Sequence, residues 1–150
     1  MKLILASQGF TTDEMKIEVA KIVGKPANEI NIAIINETAC ELAGEKSKRW
    51  LIHELSNIEK HIGGRIDFVN FRTHSKEEIR TRLMNADLTY IVGGKQHIYS
   101  KLFHETNTVD LIQEVAEKRV LMGTSAGSIV LGKQITSPRF WAERYNTKVE

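Results

Sequence analysis

"RVLMGTSAGSIVLG", residues 119–132, decides how this chain is read. An apolar run halts at Gly-Thr-Ser-Ala-Gly and resumes as an apolar, helix-like segment. Gly123-Thr124-Ser125-Ala126-Gly127 fits G-x-S-x-G, in which a serine sits on a sharp turn from strand to helix. Such a turn strains the backbone and crowds the residues two before and two after the serine. Glycine at 123 and 127 removes the colliding β-carbons, while Thr124 and Ala126 are small enough to pass. The helix starting at Ala126 would aim unpaired N–H groups at the serine, making the Ala126 N–H an oxyanion donor and Ser125 a nucleophile. The alternative reading of the same pentapeptide is a tight turn whose glycines serve packing alone.

Outward from this stretch, strands and helices alternate. "KLILAS" (2–7) and "INIAIIN" (30–36) are compact apolar runs that read as strands buried on both faces. Between them Thr11 and Glu14 stand at capping-box spacing, and Met15, Val19, Ile22 and Val23 recur at helical intervals before Gly24 and Pro26. Residues 45–62 carry Leu51, Leu55, Ile58 and Ile62 on one helical stripe that stops at Gly63-Gly64. "RIDFVNF" (65–71) is a third strand, and Ser75 and Glu78 form a second capping box before Ile79 and Leu83. "LTYIVGG" (88–94) is a fourth strand, followed by helices over 96–104 and 108–118 and by the fifth strand, "RVLMGT". This rhythm predicts one α/β domain over 1–150, a doubly wound parallel sheet covered on both faces.

Ligands of such sheets gather at the C-terminal strand ends. That edge is expected from Ser7-Gln8-Gly9, Asn36-Glu37-Thr38, Gly93-Gly94-Lys95 and 123–127. The Gly93-Gly94 pair could present N–H groups across the cleft to the same oxyanion as Ala126. It is no P-loop, because Gly94-Lys95 lacks the upstream glycine and the following Ser or Thr, and no G-x-G-x-x-G occurs.

Bulk composition narrows the partners. Lys+Arg 21 against Asp+Glu 19 gives a net charge of +2, which argues for neither nucleic acid nor an anionic membrane. Lys46, Lys48 and Arg49 read as a solvated helix face. One cysteine, Cys40, excludes an internal disulfide and a multi-Cys metal site, and reads as a small buried apolar residue. The opening "MKLILASQGF" is too short an apolar stretch for a signal peptide, so a cytoplasmic location is expected.

Taken together, "HSKEEIRTRLMNADLTYIVGG" and "VLMGTSAGSIVLG" resemble the dipeptidase E (aspartyl dipeptidase) family of serine peptidases, which includes the cyanophycinases. The likeness runs from the first strand to about Ile135 and is most specific over 75–132. It implies a class I glutamine amidotransferase-like (flavodoxin-like) three-layer sandwich. It further implies metal-free, cofactor-free hydrolysis of small peptides with acidic residues, N-terminal aspartate above all. By motif, Ser125 matches the family nucleophile, and Ala126 with Gly93-Gly94 matches the oxyanion donors. Lys95 and Gln96 replace the family's following glycine and asparagine, which would alter or close the substrate pocket.

The family's histidine lies downstream of its serine, whereas the five histidines here (53, 61, 74, 97, 104) all precede Ser125. Glu143 and Glu150 are the acids after the elbow, and neither matches the family's acid. The chain is therefore expected to lack the family's C-terminal strands and to hydrolyse weakly or not at all. His97, just past strand four, is the candidate surrogate base, against a bland role as a solvated first-turn residue. Surface polar roles are expected for the other four. An open sheet edge and exposed Phe140, Trp141 and Tyr145 predict a homo-oligomer. Two readings compete with a hydrolase: a non-catalytic relic that keeps the pocket, and a domain that binds a small anion at the helix start at Ala126.

Overall fold

Side chains along the strands alternate between two covered faces, and this sets the architecture. The computed structural model describes residues 1–40 and 49–132. Its strands are β1 (Lys2–Ala6), β2 (Ile32–Ile35), β3 (Ile66–Phe68), β4 (Leu88–Ile91) and β5 (Val120–Thr124). All pairings are parallel, in the order β1-β5-β4-β2-β3. The helices are α1 (Asp13–Val23), α2 (Glu37–Cys40), α3 (Arg49–His61), α4 (Lys76–Asn85), α5 (Gln96–Glu105), α6 (Val109–Lys118) and α7 (Ala126–Val130). This is the doubly wound α/β arrangement that the alternation of strand and helix predicts, and the flavodoxin-like sandwich that the family resemblance implies.

In β2, Ile32 and Ile34 pack with Phe10, Val19 and Ile58 on the face covered by α1 and α3. Ala33 and Ile35 pack with Ile79, Leu102 and Val115 on the face covered by α4, α5 and α6. The same parity sends Leu88, Tyr90, Val120 and Met122 to the first face and Ile91 and Leu121 to the second. Each such aliphatic side chain contributes about 1.5–3 kcal/mol by leaving water. The interior strands β2, β4 and β5 are buried throughout, as a parallel sheet requires. β1 departs from expectation: among the described residues it pairs with β5 alone, so it is half-exposed, with Leu5 52% accessible.

Local signals mostly act where the sequence puts them. Ser75 and Glu78 form the capping box, Ser75 N donating to Glu78 Oε2 at 2.8 Å and Glu78 N to Ser75 Oγ at 3.3 Å. The α1 cap falls one residue later than Thr11: Thr12 Oγ1 accepts from Met15 N at 3.3 Å. Gly63-Gly64 is a close-approach site, since a β-carbon on Gly64 would strike the Ile30 backbone. His61 is buried against Phe10, so a surface role does not hold for it. Cys40 ends the four-residue α2 and is exposed, contrary to the buried reading. Lys46, Lys48, Phe140, Trp141, Glu143, Tyr145 and Glu150 lie outside the described residues. No helix among the described residues is long and apolar enough to cross a membrane.

Helices α4 and α6 are tied by charge as well as packing. Glu114 on α6 pairs with Arg80 on α4 and, at 2.7 Å, with Lys118. The Arg80 hydrogen bond, reinforced by Lys118, holds its carboxyl down at about 2, from an ordinary 4.5. A depressed carboxyl stabilises the fold above its unfolded pKa and loses that contribution as pH falls through the folded value. Glu114→Gln should therefore lower the urea midpoint at pH 7, and the gap from wild type should shrink as pH falls from 4.5 toward about 2.

Candidate active site

The end of β5 carries a constrained backbone. Ser125 has φ 49° and ψ −117°, a conformation that costs about 1–3 kcal/mol and persists only where surroundings impose it. Its N–H donates to Ala6 O at 3.0 Å, and its carbonyl accepts from Ser128 N at 3.0 Å and Ile129 N at 3.1 Å. The Ser128 hydroxyl braces the same corner. It accepts from Ala6 N at 3.1 Å and reaches two carbonyls, Ala6 O at 2.6 Å and Gly123 O at 2.5 Å. With one proton, it can donate to only one of them at a time.

Both glycines of the pentapeptide are sterically required. A β-carbon at Gly123 would collide with the Gly127 carbonyl, and one at Gly127 would collide with Ile91 O on β4. The crowding thus extends beyond the pair to the neighbouring strand. Thr124 and Ala126 are buried at 1% and 2% exposure, whereas Ser125 between them is exposed. As the first residue of α7, Ala126 has an N–H with no intrahelical acceptor.

Ser125 opens onto a cleft of about 670 Å³. One wall is the β1–α1 loop at Ser7, Gln8 and Gly9, and another is the Gly93-Gly94 turn after β4. A β-carbon on Gly93 would stand 3.5 Å from the Ser125 Cβ, so that turn faces the serine directly. Gly94, at φ 151°, leaves no room for a β-carbon against Thr38 Oγ1. Three of the four expected edge segments therefore meet here. Asn36-Glu37-Thr38 does not line the cleft: buried Glu37 instead accepts Phe71 N at 2.9 Å and Arg72 N at 3.2 Å, and burial pushes its carboxyl up. Lys95 caps α5 and does not line the cleft either, so it does not close the pocket.

The third wall is one that sequence reasoning missed. Arg49, Trp50, His53, Glu54 and Asn57 of α3 all line the cleft, at the spacing of one helix face. His97 sits exposed in the first turn of α5 and is not among the lining residues. His53 lines the cleft in its place, its Nδ1 3.3 Å from Asn57 Nδ2. Glu54 Oε1 accepts two hydroxyls, Thr124 Oγ1 at 2.6 Å and Tyr90 OH at 2.7 Å. Burial, and then the Glu54 charge, push the Tyr90 phenol up, so it remains a donor. The available signal was a second stripe, Trp50, Glu54 and Asn57, beside the apolar one.

A parallel sheet whose interior strand ends in a strained, exposed serine above a cleft defines an α/β protein of the elbow type. The family model described as Peptidase family S51 matches residues 38–148, and the chain belongs to that family, the dipeptidase E family. Two solved structures show the same fold. A candidate peptidase E protein from Listeria monocytogenes EGD-e is 22% identical, with a TM-score of 0.70, 91% of this chain and 64% of that one being covered. A peptidase from an acI-B1 actinobacterium is 19% identical, with a TM-score of 0.65 and coverages of 91% and 59%. The chain thus spans less than two thirds of either relative's length. None of the curated proteins matches it at a significant level.

The collision at Gly123 makes a stability test. Gly123→Ala should destabilise the fold by about 1–3 kcal/mol through overpacking, read as a lower urea midpoint. Ala126→Gly, which adds no atom, should lie well inside that loss.

Proposed function

We propose that this protein is a serine-type peptidase that acts on small peptides carrying acidic residues, with Ser125 as its nucleophile. The observation that carries the reading is the exposed Ser125 side chain, held at a strained bend between two buried neighbours and facing the cleft. Family membership supports peptide-bond hydrolysis, and the resemblance of the motifs supports the acidic substrate class.

In this reading the Ser125 oxygen attacks the scissile carbonyl carbon. The carbonyl oxygen becomes an anion and accepts from the Ala126 and Gly94 N–H groups, each worth roughly 10²–10³ in rate in comparable sites. The C–N bond then breaks, the amine leaves carrying the proton that the Ser125 hydroxyl gave up, and a water molecule splits the resulting ester, its hydroxyl going to the acyl carbon and its proton to the Ser125 oxygen. Arg49 on the α3 wall supplies a guanidinium suited to a carboxylate side chain of the substrate. His97, exposed and outside the cleft lining, has no part in this scheme.

A fluorophosphonate probe and L-aspartyl-L-leucine test the proposal together. The purified protein should be labelled at Ser125 and should hydrolyse the dipeptide slowly, as a serine without the family's downstream histidine would, and Ser125→Ala should lose both the label and the turnover. His97→Ala should leave both unchanged. An unlabelled wild type, or turnover that survives Ser125→Ala, would mean that the cleft binds without covalent chemistry.

A further inference from the structure

The sheet ends in two outer strands, and they are not alike. β3 is three residues long, and its central Asp67 is paired with Arg82 of α4 at 2.7 Å. Short length and a charge are how proteins keep an edge from pairing with another chain. β1 is five residues long and contains no proline. Its one charged side chain, Lys2, is engaged elsewhere, its ammonium donating to the Ile22 carbonyl in the last turn of α1 at 3.0 Å. Among the described residues no strand pairs with the outer side of β1.

Ala6 fixes the direction of the backbone groups along β1. Its carbonyl accepts from Ser125 N and its N–H donates to Ser128 Oγ, both on the β5 side. In a strand the N–H and C=O of one residue point the same way, and those of the next residue point the opposite way. Leu3 and Leu5 therefore turn both groups outward, past the last strand. The side chains alternate too. Ile4 and Ala6 pack on the face covered by α1 and α3, and Leu3 packs on the opposite face. Leu5 shares the face of Leu3 yet stays 52% accessible. Ile129 of α7, next to the Ser128 that holds Ala6, is also exposed. An apolar edge with unused donors and acceptors thus runs along this flank of the domain.

We propose that this edge is an interface between two copies of the chain, β1 of one pairing antiparallel with β1 of the other. The pattern is self-complementary. With Ile4 on the two-fold axis, Leu3 of each copy faces Leu5 of the other, and each such pair exchanges both of its hydrogen bonds. Facing residues share a side of the sheet, so Leu3 of one copy covers the exposed Leu5 of the other. With Lys2 held by α1, no free charge on β1 opposes the approach, and a net charge of +2 leaves little repulsion between copies. Paired five-residue strands bury less than a standard interface, so the dimer is a weak one that forms and separates with concentration.

Sedimentation equilibrium combined with amide hydrogen exchange tests the interface. The protein should pass from monomer to dimer between about 1 and 200 µM, the range of a weak contact. The Leu3 and Leu5 amides should exchange at least about 10-fold faster at the lower concentration than at the upper. Leu5→Pro removes an outward N–H and no bond to β5, while Leu5→Lys sets a charge on the edge, and each should stay monomeric throughout that range. Leu5→Lys, a change at an exposed side chain, decides the matter if the proline variant does not fold. A wild type that is monomeric at every concentration would overturn the proposal. So would a dimer that survives Leu5→Lys, which would place the contact elsewhere. Leu3 and Leu5 amides that stay slow in the monomer would overturn it as well, giving the edge to another part of the same chain, residues 133–150 included.

Discussion

Two backbones come into contact where α7 meets the sheet, and that contact governs the rest of the site. Gly127 lies against the Ile91 carbonyl of β4, and the Gly127 carbonyl in turn lies over Gly123 of β5. Ile91 and Gly123 are register partners, so the first turn of α7 sits squarely on two adjacent interior strands. A helix pressed so close leaves the chain no gradual exit from β5. Ser125 must turn within a single residue, which is why it holds a positive φ that β-carbon-bearing residues avoid. The exposure of its side chain above the cleft follows from that geometry.

Strand parity supplies the other half of the arrangement. Residues 88, 90 and 92 of the β4 segment face α1 and α3, as do 120 and 122 of β5. Thr124 continues the second series, so its hydroxyl and that of Tyr90 both point toward α3. Glu54 meets the two of them, which fastens α3 to the ends of both interior strands by one carboxylate oxygen. Phe10 stacks on Tyr90, with ring centroids 6.0 Å apart, and draws the β1–α1 loop to the same place. The cleft walls are thus three separate segments held on one tyrosine and its neighbours.

Much of this arrangement is legible in the amino-acid sequence, and what is not has physical causes. Strands β2, β4 and β5 announce themselves as unbroken apolar runs because both faces are covered. The Ser75–Glu78 box and the glycines at 123 and 127 are read directly, since each satisfies a local constraint. β1 misleads because an apolar run says nothing of how many neighbours a strand has. Gly63-Gly64 looks like a helix stop, yet its reason lies in the backbone of Ile30, more than thirty residues away in sequence. The α3 wall escapes notice for a related cause. Arg49, His53, Glu54 and Asn57 have the composition of a solvated face, and only the tertiary fold shows that the solvent there is the water of a cleft. His97 illustrates the converse: proximity to the sheet edge in sequence does not bring it into the cleft.

The hydrogen bonds between Ala6 and the elbow have a bearing on how the protein is made. Ala6 and Ser128 are 122 positions apart, and Ser125 depends on the same Ala6 carbonyl. β1 pairs only with β5 among the described residues, so the first of the five strands to leave the ribosome waits for the last. Until then its apolar edge stays open, while β2, β3 and β4 can already associate. The catalytic-looking corner is therefore a late event of biosynthesis, closed by the two ends of this sheet in time rather than in space.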